Sequence, residues 1–459
     1  MTTHAHRLGT VLALTAAGTL LASTVSAAPS EPEGAIPVPV PEVQGPLPGG
    51  LPGDPMADDI EDTYPFFATT EDLDSHGYVE EEFLVSGTAN RYSGGEVLSS
   101  HPYRTRLLVR RPAEQRDSNG TVLAEWQNVT AGNDLDALWG PSAEHIMRSG
   151  YTWVGVSAQN VGVSQLTEWS PARYGDLDVT DGGTVGDDQL SYDVFSQAAQ
   201  AVRAAGELTG GIEHDRVLAI GASQSAQRMT IYYERVLPLI EPVFDGYAFM
   251  VGNAPSSPDR PEPVFQVLSE TDVARIPVAE DTATFRRWEV AGTSHSAWAG
   301  RMARVDQEER DLGGQAEYDC AEPPFSRVPL HHVFNASYDH LSAWARGKGR
   351  PPGADPIERT ALGRIARDDD GFALGGIRLS QVEVPRALNT GSNAPLDAES
   401  YFCVLFGSHR PFDEAELAER YPNHGRYASA VNRVESENLR RGHITREDSR
   451  ENRREAARP

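Results

Sequence analysis

Six short apolar runs, at 122–126, 152–157, 217–220, 247–251, 264–268 and 288–291, punctuate the middle of the chain. Each is too short for a helix and too uniformly apolar for a strand with one wet face, so each predicts a strand buried on both sides. Helix-patterned segments lie among them, at about 142–149, 192–208 and 229–239. Within 192–208, Phe195, Ala198, Ala199, Val202 and Ala205 recur at spacings of three and four, giving one apolar face to lie on a sheet. The alternation predicts an α/β chain: a mostly parallel central sheet with helices on both faces. Segments 78–85 and 104–109 predict N-terminal antiparallel strands ahead of it. The part after about residue 296 is less regular, with a helix expected over 333–345 and a strand or hairpin at 375–379. From 421 to 439, and again from about 445, the chain reads as helical or disordered, with solvated charges.

The N-terminus carries one basic residue, Arg7, before an apolar stretch over 8–25 and the small residues Val25-Ser26-Ala27. This pattern predicts a signal peptide over 1–27 and a secreted product, extracellular or in the cell envelope. Residues 28–58, rich in Pro and Gly, predict an extended leader; 59–300 the core; 301–459 a C-terminal extension packed on it. No later stretch is apolar for long enough to span a bilayer. The net charge of −27 argues against nucleic acid or an anionic membrane as partner. The two cysteines, Cys320 and Cys403, predict one disulfide in an oxidising compartment. Neither has the flanking turn or paired base of a catalytic cysteine.

The chemistry concentrates where the run 217–220 meets Gly221-Ala222-Ser223-Gln224-Ser225 and a helix-like stretch. A strand turning sharply into a helix needs small flanking residues around a nucleophile held in a strained conformation, and Gly221, Ala222, Ser225 and Ala226 are all small. Acyl transfer needs a hydroxyl, a base for its proton and a group that orients the base. Ser223 fits the first role, His295, just past the run 288–291, the second, and Asp272, after the run 264–268, the third. Glu270 is the alternative acid; Asp272, three residues beyond Ser269, is preferred. Chain order Ser, Asp, His, each after its own strand, is that of an α/β hydrolase. The plain readings are that Ser223 is a helix N-cap and His295 a loop hydrogen-bonder. Ser225 is a poorer nucleophile, since Ser223 would stand where the turn wants Gly. His331, His332 and His340 are poorer bases, being on a predicted helix without a strand end before them. The backbone N–H groups of Gln224 and of the loop at Val129 would hold an oxyanion.

Only about a dozen residues, 252–263, separate the runs 247–251 and 264–268, which leaves no room for a lid there. The pocket walls are therefore expected from 160–190, with Trp169, Arg173 and Tyr174 against the substrate, and from the region after His295. For Arg173 an ion pair with one of the nearby acids is the preferred role over a clamp on a substrate carboxylate. The run Asp176, Asp178, Asp181, Asp187 and Asp188 lacks the spacing of a calcium loop and reads as a solvated loop. No metal or organic cofactor is expected.

The segments 192–197, 221–225, 269–272 and 288–295, together with Gly375-Gly376-Ile377-Arg378, resemble a bacterial secreted family described as "alpha/beta hydrolase domain" proteins. The resemblance runs from about Val40 to the C-terminus and implies an α/β-hydrolase fold with a family-specific C-terminal extension. It implies no particular substrate. Ser225 departs from the Gly common at that place in hydrolases. The residues and the resemblance together point to a secreted serine hydrolase cleaving small-molecule or polymeric carboxylic esters. A peptidase or acyltransferase would use the same triad, and a non-catalytic binding or cell-surface protein would merely keep the fold.

Overall fold

Strands β4 (Thr121–Trp126), β5 (Thr152–Val156), β6 (Arg216–Ala222), β7 (Gly246–Met250), β8 (Val264–Ser269) and β9 (Phe285–Val290) lie parallel in the computed structural model, which describes residues 34–204 and 206–458. They continue a nine-stranded sheet whose other members are β1 (Glu42–Gln44), β2 (Tyr78–Ser93) and β3 (Glu96–Pro112), in the order β1-β2-β3-β5-β4-β6-β7-β8-β9. β1, β2 and β3 pair antiparallel, and β3 joins β5 antiparallel. The predicted signal segment, 1–27, lies outside the described residues. Residues from Ile36 onward form one compact unit.

Helices cover both faces, as strands this apolar require. On one face α4 (Ser191–Ala204) and α5 (Gln224–Ile231) pack Phe195, Ala199, Ala226 and Met229 into a cluster with Val122, Ala124 and Ala219. On the other, α1 (Trp139–Arg148) and α9 (Leu330–Ala345) pack Ala143, Ile146, Val333 and Leu341 against Leu123, Leu218, Phe265 and Trp288. Past α5 the helix widens into a π-turn over Tyr232–Val236 and tightens over Leu237–Leu239.

The chain leaves β4 for β5 on one side, then crosses to β6 on the other, so the connection direction reverses between β4 and β6. Loops at that point diverge and leave a crevice at the strand ends. Ser223 stands at the end of β6, beside the loop that follows β4.

Shorter helices occupy the loops: α2 (Asn160–Trp169) and α3 (Pro171–Tyr174) after β5, α6 (Glu270–Val273) after β8, and α7 (Trp298–Met302) and α8 (Val305–Leu312) after β9. The C-terminal part adds α10 (Ser380–Glu383), the pair β10 (Ala387–Thr390) and β11 (Ser408–Pro411), α11 (Cys403–Phe406), α12 (Glu414–Arg420), α13 (His424–Arg441) and α14 (Arg446–Ala457). Residues 375–379 form single bridges, Ile377 to Val290 and Gly375 to Ile357, rather than a strand of their own. The charged tail is helix α14, capped by Thr445, and it is not wholly solvated. Its Asp448 is buried and takes N–H donors from Arg148 and Asn335.

β2 and β3 run far beyond the expected 78–85 and 104–109, to a turn at Gly94-Gly95. Their outer halves are mostly polar, with Ala89 and Tyr103 buried in the core cluster. Hydrogen bonds add to this: the Asn90 N–H and the Tyr92 hydroxyl each donate to Asp193 of α4 at 2.8 Å.

Beneath α2 and α3, Glu82 of β2 lies buried between Arg106 and Arg173, and Tyr174 donates its hydroxyl to it at 2.6 Å. Burial works against the ionised carboxyl, but the two guanidiniums outweigh it and hold Glu82 below the usual carboxylate range. A depressed folded-state pKa stabilises the fold above the unfolded value near 4.5, and that contribution fades as pH falls through the folded value. Glu82→Gln, which leaves two buried guanidiniums uncompensated, is expected to lose about 3 kcal/mol at pH 7. Urea unfolding at pH 7 and pH 4 should show the gap between wild type and variant narrowing at the lower pH.

Candidate active site

The turn at the end of β6 holds Ser223 at φ 58°, ψ −115°, a region that a residue with a Cβ seldom occupies. What makes the turn possible is space. A Cβ on Gly221 would come within 2.6 Å of the Met229 sulfur, and one on Gly252 within 2.7 Å of the Ala226 Cβ, so α5 lies directly on the strand ends. Ser225 does the bonding work inside the turn, its Oγ accepting the Ala222 N–H and donating to the Ala222 carbonyl, both at 2.9 Å. That makes it a structural residue, turned away from the nucleophile position. The Ser223 N–H is tied to the Met250 carbonyl at 3.0 Å, and the next residue of that strand end, Val251, is itself held at φ 43°.

His295 lies 2.8 Å from the Ser223 Oγ through Nε2 and 2.7 Å from Asp272 Oδ1 through Nδ1. The other oxygen of Asp272 takes the Ser269 hydroxyl at 2.5 Å and the Ser269 N–H at 3.3 Å, a capping box on α6 that fixes the carboxylate. Four side chains from the ends of three strands thus form one hydrogen-bonded series. With Asp272 accepting from Nδ1–H, the network assigns Nε2 as the acceptor facing Ser223.

Glu270 stands apart from this series. Its Oε2 accepts the Gly292 N–H at 2.7 Å; its Oε1 accepts the Gly391 N–H at 3.0 Å and pairs with Arg367 at 2.5 Å. It therefore ties the loop before His295 to the C-terminal part. Thr271 adds a second tie, donating its hydroxyl to the Gly391 carbonyl at 2.5 Å and accepting the His295 N–H at 3.3 Å.

Over residues 43–454 the sequence matches the family described as "Alpha/beta hydrolase domain". The chain belongs to that family. This alpha/beta hydrolase also resembles solved structures at low identity. A dienelactone hydrolase from Anabaena variabilis ATCC 29413 shares 14% identity over 49% of this chain and 96% of its own, with a TM-score of 0.27. The esterase Est22 shares 14% over 61% and 84%, with a TM-score of 0.31. One of two prolyl endopeptidases shares 10% over 52% and 39%, with a TM-score of 0.27. No curated protein matches the sequence.

In this hydrolase the loop after β4 is stitched to the serine turn. Asn128 donates its side-chain N–H to the Ala222 carbonyl at 2.9 Å and accepts the Thr130 N–H at 2.8 Å, while its backbone pairs with Leu135. The Val129 N–H faces the Gln224 side-chain oxygen at 3.5 Å, a weak contact. The Gln224 side chain is in turn paired with Gln159, whose amide oxygen accepts from it at 2.5 Å. The Gln224 backbone N–H begins α5, where helical geometry offers it no acceptor. The Gln224 N–H thus directly follows Ser223, while the Val129 N–H is turned to the Gln224 side chain. The loop 128–130 was expected to supply an N–H, but the side-chain bonds of Asn128 and Gln159 left no signal in the sequence.

A cavity of about 410 Å³ opens on Ser223 and His295. Its walls come from the β4 loop (Asn133, Leu135, Leu138), from α7 and α8, and from Phe325, Phe334 and Phe406. The region after His295 therefore lines it as expected; residues 160–190 do not. Trp169 packs edge-on against Tyr64 and Phe66, and Arg173 and Tyr174 are consumed by Glu82, which comes from β2 rather than from a neighbouring acid. Their polarity serves a buried ion pair, which spacing along the chain could not reveal. The acidic run is likewise engaged: Asp188 with Arg228 and Asp181 with His101, both at 2.9 Å, and Asp178 with its own loop.

Among the described residues one His and carboxylate group brings its donor atoms within 4.8 Å, His332 with Asp448 and Glu451. Asp448 already takes N–H and O–H donors from Arg148, Asn335 and Thr445, so the group joins α9 to α14 as a hydrogen-bonded junction. His331 lines the cavity and His340 donates its Nε2–H to the Gly442 carbonyl at 2.8 Å, at the end of α13; neither is hydrogen-bonded to Ser223.

Cys320 and Cys403 form a disulfide across 83 residues. It fastens the segment after α8 to α11, whose Leu405 and Phe406 line the cavity. Cys320→Ser with Cys403→Ser is expected to cost about 4.5 kcal/mol by the loop-entropy relation, read as a fall in unfolding midpoint under non-reducing conditions. The strain at Ser223 gives a second expectation. Ser223→Gly should be more stable than Ser223→Ala by about 1 kcal/mol in denaturant unfolding, because only Gly adopts that backbone at no steric cost.

Proposed function

We propose that this chain is a serine hydrolase that cleaves carboxylic esters through an acyl-enzyme, with Ser223, His295 and Asp272 as nucleophile, base and orienting acid. The observation that carries the reading is the unbroken hydrogen-bonded series from Ser269 through Asp272 and His295 to Ser223, opening on an apolar cavity. His295 Nε2 takes the Ser223 proton as Oγ attacks the ester carbonyl. Asp272 holds Nδ1–H and stabilises the imidazolium. The N–H groups of Gln224 and Val129 receive the oxyanion, Val129 giving up its weak contact with the Gln224 side chain. Collapse breaks the ester C–O bond, and the alcohol leaves with the proton carried by His295. Water then gives a proton to His295 as its oxygen attacks the acyl carbon; the bond from that carbon to Oγ breaks, His295 returns the proton to Ser223, and the carboxylic acid leaves.

Export is part of the same reading. The apolar stretch over 8–25 and the Cys320–Cys403 disulfide both support folding in an oxidising compartment.

The test is hydrolysis of a p-nitrophenyl acyl ester together with labelling by a fluorophosphonate probe. Ser223→Ala is expected to lose at least about a thousandfold in kcat and all labelling, and Asp272→Asn to lose a comparable factor in kcat while remaining folded. Full activity in folded Ser223→Ala sinks the assignment. A wild type that neither turns over ester nor reacts with the probe favours a non-catalytic binding protein.

A further inference from the structure

The charged groups in the cavity wall are unbalanced. Three non-histidine ionisable chains with full charge line it: Arg301 on α7, Glu308 on α8 and Arg304 between the two helices. All three are sheltered, with side-chain exposures of 18%, 13% and 16%. Arg304 donates through Nε to Glu308 at 3.2 Å, while Arg301 reaches the same carboxylate only at 3.8 Å. Arg301 also donates to the Ala316 carbonyl and lies over the Phe325 ring at 5.7 Å. The two terminal guanidinium nitrogens of Arg304 have no hydrogen-bond partner among the described residues. One carboxylate facing two guanidiniums leaves a net charge of about +1 in a low-dielectric wall, in a chain whose net charge is −27. Burial disfavours the charged form of Arg301; Glu308 counters this, and Arg304 adds to the cost. A further anion would relieve that repulsion, and a guanidinium fork suits a carboxylate.

We propose that Arg301 and Arg304 form an anion subsite in the cavity and that the ester cleaved at Ser223 carries a carboxylate on an apolar body. A single surplus positive charge matches a monoanion, which favours a carboxylate over the doubly charged phosphate monoester. The apolar body would lie against Leu135, Phe325, Phe334 and Phe406. The inference rests on the hydrolase reading for its reaction, but the subsite can be measured without it.

Two esters of equal chain length separate the effects: mono-4-nitrophenyl adipate, with a free carboxylate, and the neutral 4-nitrophenyl hexanoate. The expected result is a kcat/KM ratio of about 10 or more in favour of the adipate. Arg304→Gln should cut that ratio about tenfold, Arg304→Lys should retain part of it, and Glu308→Gln should raise it. A ratio near one, or a ratio that Arg304→Gln leaves unchanged in a variant with a wild-type melting profile, overturns the subsite while leaving the hydrolase reading standing. If neither ester is cleaved, calorimetric titration with adipate decides the subsite. Binding weakened about tenfold by Arg304→Gln supports it, and no binding, or binding indifferent to Arg304, overturns it.

Discussion

Parallel pairing is the constraint on which everything else in this molecule depends. Once β4 to β9 lie side by side in one direction, both faces must be buried, and reactive groups can stand only at the ends of the strands. The carboxyl ends of β4, β6, β8 and β9 then share one edge, and the reversal of connection direction between β4 and β6 opens a crevice there. Ser223, Asp272 and His295 meet because each follows a different strand by a few residues. None of the three needs a long excursion to reach the others.

The C-terminal part does more than cover the sheet. Glu270 and Thr271 bond to Gly391, Arg367 pairs with Glu270, and the Ser296 N–H donates to the Leu405 carbonyl at 3.0 Å. The loops bearing Asp272 and His295 are therefore clamped from a distance of about a hundred residues along the chain. A carboxylate two positions from the acid of the series thus holds the scaffold, not the imidazole. The choice between the two was set by the capping box: Ser269 turns Asp272 inward at the third residue and leaves Glu270 facing the other way.

Strand runs and the helices on them were legible because burial on both faces writes a continuous apolar signature. The serine, histidine and acid were legible because they follow those runs in a fixed order. The cavity was not. Its walls come from the loop after β4, from helices α7 and α8 and from Phe402 to Phe406, segments whose meeting is decided by long-range contacts that leave no periodic trace. Arg173 was legible only in part: an ion pair was expected with an acid of its own loop, whereas its partner is Glu82, a strand residue some ninety positions earlier that alternation alone would have turned to solvent. The outer halves of β2 and β3 were hidden for a related reason: besides the buried Ala89 and Tyr103, they are held by hydrogen bonds to Asp193 of α4, which leave no apolar pattern.

Most of the sheet is built from contacts that require nothing beyond the chain itself, whereas one wall of the cavity hangs on a covalent bond between Cys320 and Cys403. Assembly of the fold and closure of the cavity are thus separable events with different requirements. The first needs only water to exclude; the second needs an electron acceptor. A chain that has folded but not yet been oxidised would hold the wall at Leu405 and Phe406 by backbone bonds to Ser296 and Ser326, without its covalent tie, so the firmness of the cavity depends on the surroundings in which the thiols meet.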